Sequence, residues 1–232
     1  MLTPAQIRRR LRALANPRQA AILQRFFKTG PGEYGEGDIF LGIKVPVLRK
    51  LSREFEGVGA GGAARLLRSR RHEERLLALL ILVRRYERGG VDEKQRLYAL
   101  YLKHTRHINN WDLVDLSAPN IVGAHLEHRA RRVLYRLARS TRLWERRIAI
   151  LATFHFIRRR EFADTLAIAA RLLDDEQDLI HKAVGWMLRE VGKRDQAAEE
   201  AFLRQHYRRM PRTMLRYAIE RFPDPLRRRY LA

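Results

Sequence analysis

From Pro46 onward, apolar residues recur at intervals of three and four with hardly a pause, interrupted by Gly, Pro or Asp, and no segment alternates well enough to make a strand. The periodicity predicts helices over residues 46–56, 62–70, 73–88, 92–104, 110–117, 126–139, 141–157, 161–172, 177–193, 196–206, 211–220 and 224–230. Two further helices precede these. Thr3-Pro4-Ala5-Gln6 reads as a capping box with proline at the first helical position, and Ile7, Leu11 and Leu14 follow at helical spacing. Pro17 opens a second helix through Ile22, Leu23, Phe26 and Phe27, which Gly30-Pro31-Gly32 terminates. The segment GPGEYGEGD, ending at Asp38, is the longest connector without helical character.

The pattern is therefore all-α. Helices of this length joined by short turns pair as antiparallel hairpins, and hairpin units of about 35–45 residues with weak internal similarity point to a HEAT-like helical-repeat solenoid. Such a stack shares one continuous core and curves, leaving a concave groove. No low-complexity linker interrupts the chain, so residues 1–232 are expected to form one domain. The longest apolar run, Leu76–Val83, is far short of the roughly 20 residues needed to cross a bilayer, and the N-terminus lacks the apolar core of a signal peptide. No cysteine is present, which removes disulfides, thiolate ligands and a cysteine nucleophile, and suits a soluble cytoplasmic protein.

Charge narrows the class of partner. The chain carries 48 Lys and Arg against 26 Asp and Glu, a formal net charge of +22. An excess of this size predicts attraction to a polyanion, with nucleic acid the first candidate and an anionic membrane surface the second. Base composition of the gene can favour Arg over Lys, yet it does not explain so few carboxylates. In the predicted helix 126–139, Arg129, Arg132, Arg136 and Arg139 fall on one face, with Leu126, Val133, Leu134 and Leu137 supplying most of the other. For a single helix, solvation explains such a stripe better than phosphate binding does. Further clusters at Arg65, Arg68 and Arg71, at Arg158–Arg160, and at Arg208, Arg209, Arg212 and Arg216 favour a basic concave face that follows a duplex backbone.

Four residues carry candidate chemistry. Trp111 and Asp115 are four residues apart, so on a helix begun by Asn109 or Asn110 and ended or kinked at Pro119 they share a face. In the predicted helix 177–193 the apolar stripe is Ile180, Val184, Met187, Leu188 and Val191, whereas Trp186 points away from it and shares a face with Lys182, Arg189 and Lys193. That ring is either covered by a neighbouring repeat or serves as a platform for a sugar or base. Gly185 beside it indicates a close approach by another backbone or a ligand. Arg147 lies in an apolar stripe with Leu143, Ile150, Leu151 and Phe154 and needs an anion there, either a carboxylate such as Asp115 or a phosphate. The pairs His104-x-x-His107 and His125-x-x-His128 lack the supporting residues of a zinc site, so no metal is expected. No Walker loop, GxGxxG or GxSxG occurs, and no cofactor is expected.

These residues sit within motifs that resemble a known family. Phe40-Leu41-Gly42-Ile43-Lys44-Val45-Pro46, Asn110-Trp111-Asp112-Leu113-Val114-Asp115 with Ala118-Pro119-Asn120, Trp144-Glu145-Arg146-Arg147-Ile148-Ala149-Ile150-Leu151, and Lys182-Ala183-Val184-Gly185-Trp186-Met187-Leu188-Arg189-Glu190 occur in the order and spacing of the AlkD-like DNA alkylation repair proteins. The resemblance implies a HEAT-like repeat glycosylase that hydrolyses cationic N3- or N7-alkylated purines from duplex DNA and leaves the lesion largely stacked. It implies that Asp115 is the catalytic aspartate, that Trp111 and Trp186 are the flanking tryptophans, and that Arg147 contacts phosphate. It further implies double-stranded DNA containing alkylated bases as the partner, with no metal or membrane, and a monomer. Arg129, Arg132, Arg136, Arg139, Lys182, Arg189, Lys193 and Phe26 are the expected DNA-binding residues. Phe26 stands where better-known members carry an aromatic hydroxyl, and the GPGEYGEGD loop and the terminal MPRTMLRYAIERF segment look like a sister subgroup. Two other classes stay open: a HEAT-like module that binds DNA or RNA structure without chemistry, and a protein-binding scaffold.

Overall fold

A computed structural model describes residues 2–232. Among them the regular structure is helical, apart from an isolated parallel bridge between Ile39 and Arg71. The fold is an all-α helical repeat, as the periodicity predicts. Backbone packing gathers it into two compact units, Met1–Ile121 and Val122–Ala232.

The first unit contains α1 (Pro4–Ala13), α2 (Pro17–Phe26), α3 (Val45–Glu54), α4 (Gly59–Leu67), α5 (His72–Arg88), α6 (Val91–Lys103) and α7 (Trp111–Ala118). The capping box is realised at its start: the Thr3 hydroxyl accepts from the Gln6 amide at 3.3 Å while the Gln6 side chain accepts from the Thr3 amide at 2.9 Å. At the centre lies α5, packed against α3, α4, α6 and α7. Its run from Leu76 to Val83 is apolar on every side and buried on every side, as a helix without a polar face must be.

The second unit contains α8 (Arg132–Leu137), α9 (Leu143–Ala152), α10 (Phe154–Ile157), α11 (Ala163–Arg171), α12 (Asp178–Gly192), α13 (Gln196–His206), α14 (Arg212–Ala218) and α15 (Asp224–Leu231). Here α12 is central, packed against α9, α10, α11, α13 and α14, with Ile180, Val184, Met187, Leu188 and Val191 buried. Gly185 marks a close approach: a Cβ there would lie 2.4 Å from the Met214 carbonyl and 2.6 Å from the Tyr217 Cβ, so the backbone of α14 rests directly on α12.

Three predicted spans need correction. The expected helix 126–139 is helical only over Arg132–Leu137. The guanidiniums of Arg129 and Arg131 donate to the carbonyls of His125 at 2.7 Å and Glu127 at 3.2 Å, ending the backbone ladder with side-chain caps. Arg129 and Arg139 therefore lie in turns on either side of α8, and the four arginines do not form one helical stripe. The expected helix 62–70 begins three residues earlier and ends at Leu67, because packing of α4 on α1 and α5 outweighs the low helix propensity of its glycines. The expected helix 141–157 is two helices with Thr153 between them, the Thr153 hydroxyl donating to the Ile150 carbonyl at 2.6 Å. Beyond α7, Pro119 does end the α-helix, and a single π turn, Pro119–Gly123, follows.

Candidate active site

Asn110 begins α7, its side-chain oxygen accepting from the Trp111 amide at 2.8 Å. Beneath that helix start lies a buried polar network that periodicity did not reveal. The Glu73 carboxylate, 1% exposed, accepts from the amides of Leu41, Gly42 and Ile43 at 2.8, 2.7 and 3.2 Å. It thereby turns the Phe40-to-Ile43 segment around the start of α5. Gly42 is required there, with φ +80° and space for a Cβ only 2.2 Å from the Asn16 carbonyl.

His72, next to Glu73, bridges Asp112 of α7 at 2.8 Å and Asp38 at 3.3 Å. Asp38 is in turn held by Arg75 at 2.7 Å and Asn110 at 3.3 Å. Burial alone would lower the His72 pKa, but the negative charge of Asp112 and the hydrogen bonds to both carboxylates outweigh it and raise it above the ordinary histidine value. The His72 ring, held between the two carboxylates, lies stacked on Phe40, with centroids 4.4 Å apart. For Asp38, burial pushes the pKa up, yet the bonds and charges of His72 and Arg75 bring it below the ordinary value. The network fixes α7 to α5 by charge as well as by packing.

On that helix Trp111 and Asp115 stand one turn apart, both half-buried. The Trp111 ring stacks on Phe27 (4.9 Å, 12°), meets exposed Phe26 edge-on (5.9 Å, 75°), and donates its indole N–H to the Tyr34 hydroxyl at 3.3 Å. Behind Asp115 the Tyr101 phenol is fully buried and hydrogen-bonded to Ser117 at 2.9 Å. Burial pushes the Tyr101 pKa up, the Ser117 bond works against this, and the negative charge of Asp115 adds to the rise. The phenol stays protonated, and the wall behind Asp115 is neutral.

In the second unit, Arg147 of α9 is 5% exposed and its guanidinium donates to the Leu179 carbonyl in the first turn of α12. Trp186 of α12 is half-buried; its indole N–H donates to Glu190 at 3.3 Å and its ring lies against Phe154 at 5.9 Å. Glu190 also binds Lys193 at 2.6 Å and Arg194 at 3.0 Å. Burial would raise the Glu190 pKa, but these two cations bring it below the ordinary value. Lys182 pairs with Asp178 at 2.7 Å, and Arg189 pairs with Glu220. Every expected DNA-binding cation of α12 thus has a carboxylate beside it. Around α8 the picture differs: Arg129, Arg132, Arg136 and Arg139 are all exposed, and among the described residues Arg132, Arg136 and Arg139 have no carboxylate partner.

The expected site residues therefore fall into two sets. Trp111, Asp115 and Phe26 lie in the first unit, while the second holds Arg147, Trp186, Lys182, Arg189 and Lys193 on and against α12 and Arg129, Arg132, Arg136 and Arg139 in and around α8. Sequence reasoning missed Tyr34, His72, Glu73 and Asp38. Four consecutive ionisable residues, His72-Glu73-Glu74-Arg75, directly before the apolar run Leu76–Val83 were the available signal. Among the described residues no group of three or more His, Asp or Glu side chains is arranged so that it could hold a metal ion, and no helix is long and apolar enough to cross a membrane.

Comparison with known proteins agrees with this frame. No curated protein matches the chain. The fold is similar to the solved structure of a predicted DNA alkylation repair enzyme from Enterococcus faecalis, with a TM-score of 0.68, 17% sequence identity, and coverage of 90% of this chain and 97% of that one. The family model for DNA alkylation repair enzymes matches residues 7–222, across both units and through all four sequence motifs. The chain belongs to the DNA alkylation repair enzyme family.

Proposed function

We propose that the protein is a DNA glycosylase that hydrolyses the N-glycosidic bond of cationic N3- or N7-alkylated purines in duplex DNA without extruding the base into a pocket. The observation that carries this reading is the pair Trp111 and Asp115, one turn apart on α7, a helix whose start is held by the buried His72 network. An alkylated purine already carries the positive charge that a general acid would otherwise supply. The glycosidic electron pair leaves with the base, which becomes neutral, and the deoxyribose becomes an oxocarbenium ion. Water then adds at the anomeric carbon and loses a proton, leaving an abasic site. Asp115 stabilises the positive charge on the sugar and accepts the hydrogen bond of the attacking water.

Trp111 and Trp186 offer aromatic faces to the cationic sugar and base. Arg147, held by its bond to the Leu179 carbonyl, is the phosphate contact in this reading. Arg129, Arg132, Arg136 and Arg139 neutralise the backbone of the duplex, supported by Lys182, Arg189, Lys193 and the exposed ring of Phe26. No metal or cofactor takes part in this reading, which has the protein acting as a monomer in the cytoplasm.

The test is base release from methylated duplex DNA by the purified protein, followed by chromatography of the free purine. Release of N3-methyladenine or N7-methylguanine supports the reading. Tight, salt-sensitive duplex binding without release would assign the protein to non-catalytic recognition of DNA or RNA structure. An uncharged concave surface would favour a protein-binding scaffold.

A further inference from the structure

Loop 30–38 is too firmly tied to be a mere connector. The Glu33 carboxylate accepts from the Gly30 amide at 2.8 Å and the Glu36 carboxylate from the Gly32 amide at 3.0 Å, so the turn closes on itself. Gly35 donates to the Lys28 carbonyl at 3.0 Å, and a Cβ on it would sit 2.5 Å from the Phe27 carbonyl, so the loop backbone lies directly on the end of α2. Lys28 itself adopts a φ of +50° to make that turn. At the far end Asp38 is buried and held by Arg75, His72 and Asn110.

The side chain this loop delivers is Tyr34. Its hydroxyl meets two groups of fixed polarity, since an indole N–H only donates and a carbonyl only accepts. It therefore accepts from Trp111 Nε1 at 3.3 Å and donates to the Phe26 carbonyl at 3.4 Å. One hydroxyl joins the two aromatic positions that the sequence assigns to DNA. Stacking on Phe27 fixes the plane of the Trp111 ring but resists rotation within that plane only weakly. A hydrogen bond at the indole nitrogen supplies the missing constraint.

We propose that Tyr34 is a positioning residue that locks the in-plane orientation of Trp111 against Phe26, so that loop 30–38 sets the geometry of the aromatic surface presented to substrate. This rests on the reading of Trp111 as a site residue. Both bonds are long, so the effect is one of orientation rather than of folding.

The test is Tyr34→Phe in the full chain, which keeps the ring and removes the hydroxyl. The chain has three tryptophans, so the indole N–H region of a proton–nitrogen NMR spectrum holds three signals, and Trp111→Phe identifies the relevant one. In Tyr34→Phe that signal is expected to move upfield and exchange faster with solvent, while those of Trp144 and Trp186 stay in place. Single-turnover base release is expected to slow by about 3–10-fold, the worth of one modest hydrogen bond, with duplex affinity unchanged within about two-fold. An unmoved Trp111 signal, or a moved signal with unchanged base release, would overturn the proposal. If the wild-type protein releases no base at all, the glycosylase reading fails instead, and the NMR shift still decides whether Tyr34 holds Trp111.

Discussion

Glu199 offers a sharp quantitative test of how α12, the helix that bears Trp186, is held. Its side chain lies in α13, 1% exposed, with one carboxyl oxygen unpartnered and the other occupying the space a Cβ would take on Gly192 at the end of α12. Burial raises its pKa from 4.5 to about 8; the neighbouring charge of Glu200 acts in the same direction and that of Arg189 against it. A carboxyl whose folded pKa lies above its unfolded value holds its proton in the native state after the unfolded chain has lost it. Native stability therefore falls as pH rises from about 4.5 to about 8 and is level beyond that range. The rise from 4.5 to about 8 corresponds to a ceiling of about 5 kcal/mol, which local relaxation and water entry reduce. Glu199→Gln has nearly the same volume and no charge at any pH. Urea unfolding at pH 5 is expected to give similar stability for the two proteins, whereas at pH 8.5 the variant should be more stable by about 2–5 kcal/mol. Parallel stability profiles across this range would refute the reasoning, because they would show that Glu199 is either solvated or paired.

Other perturbations test other parts of the account. Glu73→Ala strands the buried amides of Leu41, Gly42 and Ile43 and should lower stability by about 3–5 kcal/mol in the same unfolding assay; a loss below about 1 kcal/mol would mean that the loop finds other partners. Gly185→Ala gains roughly 1 kcal/mol of helix propensity but forces a methyl against Met214 and Tyr217, so a net loss of about 1–3 kcal/mol is expected, and a variant as stable as wild type would contradict the close approach. Arg132→Gln with Arg136→Gln should leave the melting temperature unchanged while lowering the slope of log affinity against log salt by about 1.8 if both contact phosphates, and an unchanged slope would exclude α8 from the interface.

How much of this was legible beforehand varies with physical cause. Helices whose apolar spacing continues into a buried face, such as α5 and α12, were readable because burial and periodicity are the same constraint there. The capping box at Thr3 and the cap at Asn110 were readable because local hydrogen bonds carry them. The region from Leu126 to Arg139 misled because its leucines fit a helix, while the guanidiniums of Arg129 and Arg131 that end the ladder are long side chains whose targets the sequence does not show. Gly185 announced a close approach, and the partner proved to be the backbone of α14. His72, Glu73 and Asp38 stayed hidden because they act across 30 to 40 residues of chain, where no spacing rule reaches. Arg147 was correctly marked as an arginine in an apolar setting, but the Leu179 carbonyl was not among the partners considered for it.

If Asp115 supplies chemistry and not affinity, as proposed, Asp115→Asn separates the two. The measurement is base release from a duplex bearing N7-methylguanine under single-turnover conditions, alongside the dissociation constant for the same duplex. Loss of a preorganised charge at the sugar should slow release by about 100- to 1,000-fold, while affinity stays equal or becomes slightly tighter as one negative charge is removed. A variant that releases base within a few-fold of the wild-type rate, or that loses binding in proportion to release, would contradict the account.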